Sequence, residues 1–245
     1  MLTSSCNDFF SWHQLPFLSP TDPIFSLSVS SLKKINAYRD SAYLLQTIPN
    51  LKLFRLSFRA LKLWAIRRGI FAARFGYLGG IHLVLLLSRV FKRISPDQIM
   101  DLTAGEVLRL FFKDYAGFNY NDDIIADPDT GSNGYRRSTR EPLALTTPHC
   151  PMVNVAHTAS KHTLKTLRDE ILLANQRIGR NCGWDAVTGT GDGDAEREFL
   201  NAFGNFVKID IHYWGRNIPR GRSLVGWIES RCVNLLVGMY CNCPF

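Results

Sequence analysis

Glycine is absent from the first 68 residues of this 245-residue chain, and the first of its 18 glycines is Gly69. A glycine-rich phosphate-binding loop is therefore excluded upstream of that position. No two of the six cysteines form a CxxC pair, so neither a zinc site nor a disulfide framework is predicted, and reduced thiols inside the cell are the simplest interpretation.

Long apolar segments are also missing. The most apolar run, residues 81–87, is far shorter than the ~20 residues that a transmembrane helix needs. The N-terminus has no basic stretch leading into an apolar core, so a signal peptide is not predicted. We therefore expect no membrane partner.

Positive charge and apolar residues are plentiful. Hydrophobic residues make up 46% of the chain and charged residues 20%, which is ordinary for a folded protein. The formal net charge of +8 favours polyanionic partners such as RNA or nucleotide phosphates. Charge alone favours such partners only slightly over the alternative that the positive charge has no functional role.

Apolar periodicity predicts a mainly α protein of the α+β class. Asn50 is a candidate start and Gly69 a candidate end of a helix through LKLFRLSFRALKLWAIRR. In that helix Arg55, Arg59 and Lys62 fall at i, i+4 and i+7, which places three cations on one stripe.

Several further elements follow along the chain. A buried helix is predicted through IHLVLLLSRVFKR, and Thr103 with Glu106 has the spacing of a capping box that opens another. Residues 119–148 read as a long polar loop, residues 153–156 as a short strand-like segment, and residues 160–178 as an amphipathic helix ended by Gly179. Beyond a flexible linker we predict a short helix (EREFLNAF), a strand (FVKIDIHYW) and a helix through SLVGWIESRCVNLLVGM.

The most specific segment is residues 48–90, which contains the blocks FRLSFRALKLWAIRR and GYLGG. It resembles the stretch of eukaryotic poly(A) polymerases that joins the catalytic domain to the central domain. Upstream, INAYRD is similar to the family's LNG.R element, and TTPHCPMVNVAHTAS to its TP..P..N element. The segments FVKIDIHYWG and LVGWIESRCVNLLVGM resemble the start of the family's RNA-binding domain, which is ferredoxin-like (RRM-like).

This resemblance implies four regions. Residues 1–47 would be an N-terminal tail and a remnant of the nucleotidyltransferase domain, and residues 48–180 the helical central domain. Residues 181–195 would be a linker and residues 196–245 a partial RNA-binding domain. The family transfers AMP from ATP to RNA 3′ ends in the nucleus, using Mg²⁺ or Mn²⁺.

The resemblance also implies a nucleotide-binding site. In the family, residues matching Asn36, Lys62, Gly80 and Ile81 help hold ATP, and Gly79 precedes them at the same helix start. A lysine suits phosphate oxygens, and the first amides of a helix lack intrahelical partners. The alternative is that Lys62 is simply solvated and the glycines only permit close packing.

Some positions depart from the family pattern. Phe71 and Ala73 stand where the family has a tyrosine and an asparagine that contact the nucleotide, so binding should be weaker. His82 replaces a usually larger residue, and we interpret it as a packed or solvated side chain rather than a ligand.

The catalytic machinery of the family is not found. Its Gly-Ser loop and three metal-binding aspartates have no counterparts before the first predicted helix. The pairs Asp127/Asp129 and Asp192/Asp194 have DxD spacing, but they lie in loops and are interpreted as turn residues. We therefore predict no metal site and no catalytic activity for this chain alone. A noncatalytic RNA- or protein-binding module and an unstable gene fragment are the alternatives.

Basic and aromatic residues near the C-terminus could contact RNA by stacking and phosphate pairing. The candidates are Lys208, Tyr213, Arg216, Arg220 and Arg222, together with His212 and Trp214. Without the resemblance, an ordinary sheet edge with a basic loop would be the better interpretation.

Overall fold

The protein is mainly helical, as predicted. The computed structural model describes residues 19, 21–132, 134–189, 197, 198, 200, 201, 204 and 208–242. Its helices are α1 (Val29–Thr47), α2 (Leu51–Arg67), α3 (Gly80–Arg93), α4 (Pro96–Asp101), α5 (Ala104–Ala116), α6 (Lys161–Gly179), α7 (Trp184–Thr188) and α8 (Ile218–Asn242), with 3-10 turns at Pro23–Ser26 and Ala73–Phe75. Residues 1–18 and 190–196, which include part of the predicted N-terminal region and part of the predicted linker, lie outside the described residues.

The predicted helix boundaries at α2, α5 and α6 are confirmed. Asn50 caps α2 by accepting a hydrogen bond from the Leu53 amide, and Gly69 follows the helix with φ +70°. Thr103 and Glu106 form the predicted reciprocal capping box of α5. Helix α6 ends at Gly179.

Helices α2, α3, α5 and α6 enclose the main core. Trp64 of α2 is fully buried and meets Phe112 of α5 edge to face, with ring centroids 4.9 Å apart. Leu87 and Phe91 of α3 are also fully buried. Each such side chain stabilises the fold by about 1.5–3 kcal/mol through removal of apolar surface from water. No helix in the described part of the chain is long and apolar enough to cross a membrane.

The long loop after α5 is organised by one guanidinium. Arg137 donates to four backbone carbonyls, those of Tyr120, Asp123, Glu141 and Pro142, at 2.6–3.2 Å. These bonds satisfy carbonyls that have no strand or helix partner. The prediction of an irregular loop is confirmed for its described residues, and Arg137 joins distant parts of that loop.

Residues 153–156 form a turn, so the strand-like prediction for this segment is wrong. The buried Asn154 side chain accepts from the amides of Leu145 and Ala156 and donates to the Leu143 carbonyl. A side-chain amide therefore takes the backbone partners that a neighbouring strand would have used.

Helix α1 is joined to the core through the Lys92 cluster, which consists of Lys92, Tyr43, Asp127 and Asp129. The Lys92 Nζ lies 2.7 Å from a carboxylate oxygen of each aspartate and 4.6 Å from the centre of the Tyr43 ring. Burial opposes the ammonium charge, but the two carboxylates outweigh it and raise the pKa of Lys92. Asp127 also accepts from the Asp129 amide in a turn, as predicted, while Asp192 and Asp194 lie outside the described residues.

The C-terminal part differs from the expected α/β module. Residues 208–215 are irregular, so the predicted strand is wrong over that stretch, while residues 206 and 207 lie outside the described residues. A lone strand is not stable without partners to pair with. The final helix is confirmed as α8, but the partial ferredoxin-like (RRM-like) module is not observed in the described residues.

Candidate nucleotide-binding site

The outer face of α2 carries the predicted basic stripe. Arg55, Arg59 and Lys62 are exposed, and none of them forms an ion pair with any residue that the structure describes. Unneutralised cations in a row attract polyanions.

Lys62 and Phe71 are brought together by the chain reversal after α2. The Ile70 amide bonds the Ala65 carbonyl, and the Leu78 amide bonds the Ile70 carbonyl, which folds residues 70–78 back against the helix end. The Lys62 Nζ then lies 5.4 Å from the centre of the Phe71 ring. This cation–π contact, worth ~0.5–1 kcal/mol at an exposed site, favours an ammonium position next to the ring.

Gly76 fixes the turn that leads into α3. It has φ +86°, and a Cβ atom there would lie 2.6 Å from the Thr158 carbonyl oxygen. The Thr158 hydroxyl in turn donates to the Ala73 carbonyl at 2.7 Å. The turn is thereby held against the segment that precedes α6.

The two glycines at the start of α3 have different roles. The Gly79 amide donates to Nδ1 of His82 at 3.0 Å, so it is already occupied, and a Cβ at Gly79 would lie 2.9 Å from that of Ala73. Gly79 therefore serves packing and capping. Gly80 and Ile81 are exposed at the helix start, and a Cβ at Gly80 would meet nothing within 4 Å.

His82 is a packed residue, as predicted. Its Nε2 lies 3.0 Å from the Val155 carbonyl, which requires the proton on Nε2 and leaves Nδ1 to accept from Gly79. Burial lowers the pKa of His82, so the neutral ring is favoured. The ring connects the start of α3 with the turn at residues 153–156.

Asn36 lies in a different environment. Its Nδ2 is 3.0 Å from the Cys150 sulfur, and its buried Oδ1 receives no hydrogen bond from the described residues. Burial raises the pKa of the Cys150 thiol. No hydrogen bond in the described part of the chain joins Asn36 to Lys62 or to the glycine pair.

A second charge network was not visible in the sequence. Arg68 at the end of α2 binds Glu170 and Glu198 at 2.6 and 2.7 Å, and Arg177 also pairs with Glu198. Burial opposes the carboxylate, but these two guanidiniums outweigh it and lower the pKa of Glu198. The network holds the segment after the predicted linker against α2 and α6, over sequence separations that no local pattern reveals.

The described residues do not form a site that fits a metal ion. Both carboxylates of the Asp127/Asp129 pair bind the Lys92 ammonium, which balances one of their two negative charges. Among the described residues, no three histidine, cysteine or acidic side chains are grouped to hold a metal.

The predicted RNA-contacting residues lie in the segment before α8 and in its first turns. Tyr213, Arg216, Arg220 and Arg222 are all exposed, as is Lys208, which pairs with Asp210 at 3.0 Å. The neighbouring His212 and Trp214 rings are stacked with centroids 5.7 Å apart.

Comparison with known proteins gives a consistent family assignment. A family model described as the poly(A) polymerase central domain matches residues 53–182, more than half of the chain. Nuclear poly(A) polymerase 1 of Arabidopsis thaliana is 26% identical over 214 residues, 82% of this chain and 28% of that protein. The poly(A) polymerase of Dictyostelium discoideum is 26% identical over 84% of this chain and 25% of its own length.

The chain thus spans only about a quarter of these two relatives. Nuclear poly(A) polymerase 3 of Arabidopsis thaliana is 27% identical over 88% of this chain and 41% of its own length. Among solved structures, one of the Cid1 poly(U) polymerase has a TM-score of 0.48 and 18% identity, covering 66% of this chain and 62% of that one.

Proposed function

The chain belongs to the poly(A) polymerase central-domain family, and from that membership we propose that it is a divergent polymerase chain whose α2–α3 face binds ATP. The observation that carries the proposal is the exposed Lys62 ammonium, positioned by Phe71 at the bend that leads to the start of α3. An ammonium with three donors suits the nonbridging oxygens of a triphosphate.

Within this proposal each residue has a distinct task. Lys62 pairs with phosphate oxygens, Phe71 packs beside the nucleotide without donating a hydrogen bond, and Gly80 and Ile81 present the exposed start of α3. Gly79 allows close packing at that helix start and caps it through its bond to His82. Asn36 of α1 is included because of the family resemblance, while its side chain bonds Cys150 and its Oδ1 is buried.

Among the described residues no three histidine, cysteine or acidic side chains are grouped to hold a metal. We therefore propose that adenylyl transfer uses a catalytic domain outside this sequence. In the family ATP and Mg²⁺ or Mn²⁺ provide that chemistry. We accordingly expect that this chain alone does not extend an oligoadenylate primer. RNA 3′-end processing in the nucleus is proposed because two of the relatives described above are named nuclear.

Nucleotide binding by the purified chain tests the proposal. We expect Lys62→Ala to weaken binding of a fluorescent ATP analogue, while Phe71→Tyr, which restores the family's hydroxyl, should strengthen it by about 0.5–1.5 kcal/mol, roughly two- to tenfold. Lys52→Ala, an exposed lysine on the same helix, is the matched control. Equal affinities for all four proteins, or for Lys62→Ala and wild type, would refute the role of the α2–α3 face.

A second candidate function, noncatalytic RNA binding, is favoured by the exposed cations and the stacked His212–Trp214 pair at the start of α8. We expect salt-sensitive binding of single-stranded RNA that weakens when Lys208, Arg216 and Arg220 are changed to alanine. Filter binding at low and moderate salt measures this. Absence of binding at low salt would eliminate this function.

A further inference from the structure

A groove of about 760 Å³ lies between the first half of α6 and the loop that Arg137 organises. Its walls include Arg137, Pro142, Lys161, Leu164, Lys165 and Arg168. None of these residues belongs to the α2–α3 face or to the start of α8. We propose that this groove binds the phosphodiester backbone of single-stranded RNA, as a site additional to those of the proposed function.

The charges on the α6 wall form a regular row. Lys161, Lys165 and Arg168 stand at i, i+4 and i+7 and are exposed, so they share one helix face over about 10 Å. None of the three forms an ion pair with another described residue. The row matches about three consecutive phosphates at the ~3.4 Å rise of a stacked strand.

The acidic residues of the groove do not cancel this row. The Glu141 carboxylate accepts from the Tyr135 hydroxyl at 2.7 Å and from the Ser138 amide at 3.0 Å, so it is engaged within its own loop. Asp169 is the other acidic residue on the walls. Four cations, counting Arg137, therefore face two carboxylates, which leaves the groove with a net positive charge; Arg137 and Glu141 are both bonded within the loop.

The walls are also fixed before any ligand arrives. Arg137 holds the loop through its four carbonyl bonds, and Arg168 lies over the Tyr120 ring at 5.7 Å. The Tyr120 hydroxyl donates to the Tyr115 carbonyl at the end of α5. Because the loop and Arg168 are already held, they lose less conformational entropy on binding than mobile segments would.

The lining also indicates the kind of polyanion. None of the described residues that line the groove is aromatic, so these residues offer no ring on which a base could stack. Lysine ammoniums spread along an open groove fit an extended chain of phosphates. Binding should therefore depend on strand length and salt rather than on base sequence.

The test measures the salt dependence of RNA affinity for the full chain. Fluorescence anisotropy with labelled A15 and U15 RNA between 50 and 200 mM KCl compares wild type with Lys161→Gln/Lys165→Gln/Arg168→Gln. The slope of log K against log salt is negative, and each lost phosphate contact makes it less steep by ~0.7. The triple variant should therefore have a slope less steep by about 2 units. Its affinity should fall about tenfold or more, equally for both RNAs. Lys34→Gln/Lys52→Gln/Lys113→Gln removes the same charge from exposed positions on three other helices and should change the slope little.

Equal slopes for the two triple variants would overturn the proposal. A polyglutamate peptide that binds as tightly as RNA, with the same loss in the α6 variant, would also overturn it in favour of an acidic peptide. If replacing Arg168 lowers the melting temperature, the Lys161→Gln/Lys165→Gln variant gives the same comparison with an expected slope loss of about 1.4. If the two sites are independent, combining the α6 triple variant with the alanine variant of Lys208, Arg216 and Arg220 should add their slope losses.

Discussion

Replacement of Lys92 by methionine is expected to lower the free energy of unfolding by about 3–5 kcal/mol, because Asp127 would stay buried without a cation. The Lys92 and Asp127 side chains are 4% and 0% exposed, and their charged atoms are 2.7 Å apart. Methionine has a similar length but supplies no charge. Urea unfolding of the two proteins at pH 7 gives the difference directly.

Two further variants identify the cause. Arg93→Met removes a neighbouring cation whose side chain is 53% exposed, and it should cost at most about 1 kcal/mol. Adding Asp127→Asn to Lys92→Met removes the unpaired charge and should recover part of the loss. If Lys92→Met and Arg93→Met are equally stable, the Lys92 cluster does not hold α1 to the core.

Replacement of Gly76 by alanine should cost about 2–4 kcal/mol, the sum of a left-handed backbone that disfavours a side chain and a steric overlap. The added Cβ would lie 2.6 Å from the Thr158 carbonyl, a backbone atom that cannot rotate away. The turn would separate from the segment before α6, which also displaces Phe71 from Lys62. Thermal unfolding measures the first effect, and ATP-analogue affinity measures the second.

Gly80→Ala is the matched control for the effect of this substitution on stability. Its Cβ would meet nothing within 4 Å, and its backbone is helical, so stability should change by no more than about 0.5 kcal/mol. A Gly76→Ala protein as stable as Gly80→Ala would show that the turn is not constrained as described.

The sequence predicted the helical core well because its signals are local. The Asn50 cap, the capping box of Thr103 and Glu106, and the end of α6 at Gly179 each depend on residues within one or two turns. The exposed stripe of Arg55, Arg59 and Lys62 was predictable for the same reason, since helical spacing alone sets which side chains share a face.

The same local reasoning failed where a partner decides the structure. Alternating residues near 206–214 predicted a strand, but a strand forms only when another strand is available to pair with it. Residues 153–156 likewise become a turn because the Asn154 side chain takes the backbone partners. The role of Gly79 also depended on tertiary structure, since His82 occupies its amide.

The sequence by itself determined the helices, the basic stripe and the family of the chain, because these depend on spacing within single segments. Only the tertiary structure decided that Lys92 pairs with Asp127 and Asp129, that Arg68 and Arg177 share Glu198, and that a basic groove forms beside α6. These features join residues that are far apart in the chain. For the charge pairs the physical reason is burial, because tertiary packing decides which buried charges face each other. For the groove it is the packing of the loop beside α6.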